Sequence, residues 1–145
     1  MAQHRIGLRW NRNENEEACQ WILDEGKRLC VMAPDGTAPE SELIDPEDVF
    51  IGAIANCHLL SFITEAARDG YVVQHYEDQP IGFLEKNRQG RLCVGKVLLT
   101  PKATFRGTVK PSQQEITELH KRAQEKCIIS QSVRSEILLE PIFPA

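Results

Sequence analysis

The segment DPEDVFIGAIANCHLLSFITEAARDG, residues 45–70, constrains the fold more than any other stretch of the chain. It is punctuated as one long helix. Asp45 suits the N-cap and Pro46 the first helical position, while Glu47 and Asp48 put negative charge at the positive end of the helix dipole. Gly70 supplies a left-handed stop after Arg68 and Asp69. Between Val49 and Ile63 only Gly52, Asn56, His58 and Ser61 break the apolar run, which predicts a helix buried on all sides. The run is shorter than the roughly 20 apolar residues of a membrane span. At its centre sits Cys57, between Asn56 and His58, so a thiol occupies the most apolar part of the chain.

With 145 residues, 41% of them hydrophobic, residues 1–145 have enough material for a single domain with a real core. A formal charge of -4 and the lack of a basic stripe argue against nucleic acid as a partner. No apolar segment follows Met1, so no secretion signal is expected, and the location implied is cytoplasmic with no membrane partner. Five cysteines (Cys19, Cys30, Cys57, Cys93 and Cys127) are an odd number for a chain in a reducing compartment. A structural disulfide framework is not expected there; any disulfide would be transient and catalytic.

Ile6, Leu8 and Trp10 alternate on one face of a strand, and residues 11–17 (NRNENEE) read as a polar turn or hairpin loop. Residues 18–23 and 28–33 are the next strand candidates. After the long helix come strands at 72–76 and 81–86, a turn at 87–90, and a β-like run from 91 through 105. Ser112 and Glu115 form a capping box for an amphipathic helix ending near Cys127, with Ile116, Leu119 and Ala123 on one face. Residues 128–133 suggest a short helical piece and 136–143 a closing strand. This order is an α+β fold with antiparallel sheets, not a dinucleotide-binding alternation.

Cys19, Cys30 and Cys93 lie among apolar neighbours in strands and read as packing residues. Cys127, at a helix end, is a second thiol able to approach another buried element. A metal site composed of Cys57, His58, His120 and Cys127 is disfavoured, because adjacent helical residues point about 100° apart and the spacing matches no common zinc pattern. No metal and no cofactor are expected.

Residues 45–70 resemble the central-helix signature of the OsmC/Ohr superfamily, the osmotically inducible and organic hydroperoxide resistance proteins. Residues 119–133 (LHKRAQEKCIISQSV) resemble that family's second motif, a helix ending in a cysteine followed by an apolar pair and a small residue. The resemblance covers Asp45 to the C-terminus. It implies an OsmC-like fold, with antiparallel sheets around the long helix in an intertwined homodimer. It also implies a thiol peroxidase for organic hydroperoxides, with Cys57 as peroxidatic thiol, Cys127 as resolving thiol, Glu47 in support, and a dithiol reductant of lipoyl type or a small thiol.

Thiolate attack on a peroxide gives a sulfenic acid that a second thiol condenses to a disulfide. Apolar burial raises a thiol pKa, so Cys57 calls for a cation; family members use an arginine. Arg12 is the first candidate here, then Arg28 and Arg9. On a continuous helix Glu47 stands about 15 Å along the axis from Cys57, which suggests a site shared across a dimer. The alternative is a non-catalytic OsmC-like dimer that binds an apolar small ligand at its interface.

Overall fold

A computed structural model of the chain describes residues 4–11, 15–23, 28–32 and 45–144. They belong to two compact units, residues 1–49 and 50–145. The first carries β1 (Gly7–Asn11), β2 (Asn15–Ile22) and β3 (Arg28–Met32), paired antiparallel in that order. The expected polar loop at 11–17 is shorter than its composition suggests, because β2 already starts at Asn15, opposite Asn11. Backbone pairing in a hairpin asks for no apolar side chains, so polarity alone overestimates the loop.

The long helix α1 (Pro46–Arg68) runs into the second unit. It ends as the sequence predicts. Gly70 takes φ 82°, Tyr71 N–H donates to Ala66 C=O and Gly70 N–H to Ala67 C=O, closing the last turn. Two expectations for α1 need correction. At 23 residues it is long and apolar enough, by length and composition alone, to cross a membrane, because the helix continues beyond the apolar run. Within one chain it is also not buried on all sides: burial follows one stripe, Ile54, His58, Phe62, Glu65 and Ala66, while Leu60 and Ile63 are exposed. A helix packed on one side of a core covers only that side.

The second unit continues with β4 (Val72–Glu77), β5 (Ile81–Lys86), β6 (Leu92–Leu99), β7 (Lys102–Arg106), α2 (Gln113–Lys126), α3 (Ile128–Ser132) and β8 (Glu136–Leu139). β4 pairs with β7, and β6 lies between β5 and β8. All these pairs are antiparallel except β6 with β8, which is parallel. In the β5–β6 hairpin Asn87 Oδ1 accepts from the Gln89 and Arg91 amides, and Gly90 takes φ 75°.

The β-like run from 91 to 105 divides into β6 and β7, which enter different sheets. Proline has no N–H for a ladder, and Pro101 is buried at the break. Thr100 N–H is taken by Asp78 Oδ1 at 2.9 Å instead. Glu140 N–H donates to Leu99 C=O and Ile142 N–H to Pro101 C=O, so the chain after β8 stays tied to the same break.

Among the described residues two apolar clusters are buried. Ile54 packs with Val97 and Leu99, backed by Val94, Ile129 and Ile137. Phe62 and Ala66 pack with Ala103, Phe105, Ile116, Leu119 and Ala123. α1 contributes to both clusters, and His58 and Cys57 fall between its two contributions in sequence.

Candidate active site

Cys57 and Cys127 are brought together by the packing of α1 against the α2–α3 junction. The Ser112–Glu115 capping box starts α2 as the sequence predicts, with both reciprocal hydrogen bonds formed. The helix stops at Cys127, which is at once C-cap of α2 and N-cap of α3. Cys127 is wholly buried, whereas Cys57 is half-buried, and both are free thiols. Burial pushes the Cys57 thiol up, helped by its donation to Cys127, and the Ile129 and Ile128 amides act in the opposite direction.

Cys57 opens onto a cleft of about 310 Å³ that it lines with Leu60, Ser61, Thr64, Glu65, Arg68, Lys126 and Ile128. Leu60 and Ile128 make part of its lining apolar. Glu65, Arg68 and Lys126 bring to it a charge cluster that sequence reasoning missed. Glu65, whose side chain is only 4% exposed, accepts from Lys126 Nζ at 2.7 Å, Arg122 Nε at 3.3 Å and Arg68 Nη1 at 3.4 Å. Arg122 also reaches Asp69 at 2.6 Å. The Lys126 ammonium, against the cost of burial, holds the Glu65 carboxyl below its ordinary pKa.

The cluster was legible in part. Ile54, His58, Phe62 and Glu65 recur at helical spacing, and Arg122 and Lys126 share a face of α2 four residues apart. Only packing shows that the two faces meet. Glu65→Gln is expected to lower stability by about 2 kcal/mol, the scale of a charged hydrogen bond. That is less than the roughly 3–5 kcal/mol for breaking a fully buried pair, because the three cations are 36–63% exposed and can turn to water. Urea unfolding measures it, and an unchanged midpoint would count against the cluster.

His58 and His120 pair with each other. His58 Nε2 lies 3.0 Å from His120 Nδ1, the rings are 7° from parallel, and His120 stacks on Phe62 with centroids 4.1 Å apart. Burial lowers the His58 pKa to about 4, with Gln124 opposing. Burial and then the His58 charge lower that of His120 to about 3. One nitrogen of each ring is thus committed to the other ring, while His58 Nδ1 and His120 Nε2 are buried without a hydrogen-bond partner. Among the described residues no group of three or more His, Cys, Asp or Glu is placed to hold a metal ion.

Glu47 is exposed in the first turn of α1, ten residues before Cys57 on the same helix. Arg12 lies outside the described residues, and Arg9 and Arg28 fall in β1 and β3. The described cations that line the cleft of Cys57 are Arg68 and Lys126.

A model of the OsmC-like protein family matches residues 39–141. The chain belongs to the OsmC-like family. An OsmC-like protein of unknown function from Vibrio cholerae is 34% identical and superposes with a TM-score of 0.88 over 98% of this chain and 100% of its own. The organic hydroperoxide resistance protein OhrB of Bacillus subtilis shares the fold at 18% identity, with a TM-score of 0.69 over 99% of this chain and 98% of its own. Among curated proteins, the uncharacterized protein YmaD of Bacillus subtilis is 20% identical over 97% of this chain and 93% of its own. The α+β architecture expected from the sequence, and the membership in the OsmC/Ohr superfamily suggested by its two motifs, are thereby established.

Proposed function

We propose that this OsmC-like protein reduces organic hydroperoxides by a two-thiol cycle. The carrying observation is the unequal placement of two adjacent sulfurs. Cys57 lines the cleft, and Cys127 lies behind it with no exposed surface. A peroxide entering the cleft therefore meets Cys57 first. The Cys57 thiolate attacks one peroxide oxygen, the O–O bond breaks, and the alcohol leaves with a proton. The Cys57 sulfenic acid then condenses with the Cys127 thiol, releasing water and forming the disulfide. A dithiol restores both thiols by exchange. The Ile128 and Ile129 amides that face Cys57 stabilise its thiolate against burial. Leu60 and Ile128 favour a substrate with an apolar tail over hydrogen peroxide.

One equivalent of cumene hydroperoxide followed by alkylation and mass spectrometry tests this reading. The expected product is a Cys57–Cys127 disulfide with the other cysteines alkylated. Two thiols still reduced in a folded protein would remove the catalytic reading and leave binding of an apolar ligand in its place. The reading includes a homodimer in which a second copy supplies Glu47 and an arginine. Light scattering on the same sample should read two chains, and a fully active monomer would take Glu47 out of the site.

A further inference from the structure

α3 carries two serines whose hydroxyls behave differently. Ser132 Oγ donates back to the Ile128 carbonyl at 2.7 Å, the usual local bond of a helical serine. Ser130 Oγ turns away from the backbone and donates to Cys127 Sγ at 3.2 Å, while Ser130 N–H reaches the same sulfur at 3.4 Å. Two donors from one residue thus converge on one buried sulfur, an arrangement suited to a sulfur that carries negative charge.

We propose that Ser130 is a catalytic residue of the reductive half of the cycle, its hydroxyl stabilising the Cys127 thiolate released when a dithiol opens the Cys57–Cys127 disulfide. The proposal rests on the two-thiol function above. Access decides which sulfur is attacked: Cys57 lines the cleft and Cys127 is inaccessible. A reductant thiolate attacks Cys57 Sγ and forms a mixed disulfide. The Cys57–Cys127 bond breaks and its electron pair goes to Cys127 Sγ. The reductant's second thiolate then attacks its own sulfur in the mixed disulfide and frees Cys57. The reductant leaves as a cyclic disulfide, and its two protons end on Cys57 and Cys127. In the first of these steps a thiolate appears in a fully buried position. Exchange runs faster when the leaving thiolate is stabilised, and charge-assisted donors are the strongest available to it.

The test separates the two halves of the cycle. Wild type, Ser130→Ala, Ser130→Thr and Ser130→Val are each oxidised with one equivalent of cumene hydroperoxide and their disulfide confirmed by mass. Reduction by excess dithiothreitol is then followed across pH. Threonine and valine share a shape and differ in the hydroxyl, so this pair isolates the donor from packing. Ser130→Ala and Ser130→Val are expected to reduce about tenfold more slowly, the scale of one hydrogen bond to a charged group. Ser130→Thr should be reduced at close to the wild-type rate. Equal reduction rates for the threonine and valine variants would overturn the role of Ser130, while their disulfides would still uphold the two-thiol function. Wild type that forms no disulfide would overturn the function itself, and the role of Ser130 with it.

Discussion

Cys57→Ser is expected to reduce hydroperoxide turnover by at least about a thousandfold, the scale of losing a nucleophile that acts within a catalytic unit. Cys127→Ser should behave otherwise. That variant keeps the sulfur at the cleft, so it should consume one equivalent of cumene hydroperoxide and stop with a sulfenic acid on Cys57. The asymmetry follows from accessibility, since Cys57 lines the cleft while Cys127 is fully buried. A dimedone adduct on Cys57 in the Cys127→Ser protein, absent from Cys57→Ser, is the diagnostic result. An adduct on Cys127 in Cys57→Ser would reverse the two roles. Retained turnover in Cys57→Ser would end the peroxidase reading altogether.

Acidification from pH 7 to pH 5 should destabilise the protein by several kcal/mol, through the buried histidine pair. His58 has a folded pKa of about 4 against about 6.5 for an unfolded chain. Its folded value is the lower one, so between those values the unfolded state binds more protons and stability falls as pH falls. For His58 alone the linkage amounts to about 2 kcal/mol at pH 5. His120, lowered to about 3, adds in the same direction over a wider window. Glu65 contributes in a separate window, because its depressed pKa matters only as pH falls through the carboxylate range. Thermal or urea unfolding at successive pH values reads the slope. The double variant His58→Gln with His120→Gln should flatten it between pH 6.5 and 4. An unchanged slope in that variant would assign the acid lability to other groups.

The ends of α1 and the start of α2 were determined by sequence alone. Pro46, Gly70, Ser112 and Glu115 act through backbone geometry and hydrogen bonds within a few residues, and such interactions do not depend on the rest of the fold. The α+β class followed from the order of those elements, and the OsmC-like membership from two motifs around Cys57 and Cys127. What lies across the core was decided by tertiary packing. Periodicity names the face of a helix but not what it meets. The Glu65 cluster needs residues 57 and 61 positions apart in the chain, and the His58–His120 pair needs residues 62 apart. The break at Pro101 likewise depended on which sheet could accept each half of an apolar run. The burial of α1 was misread for the same reason: composition reports that a face is apolar, while only the packed core decides that Phe62 is covered and Leu60 is not. The site thus divides by the range of its interactions. The two cysteines were visible because each sits in a local motif. Glu65 and Lys126 became visible only when folding placed them at the cleft of Cys57.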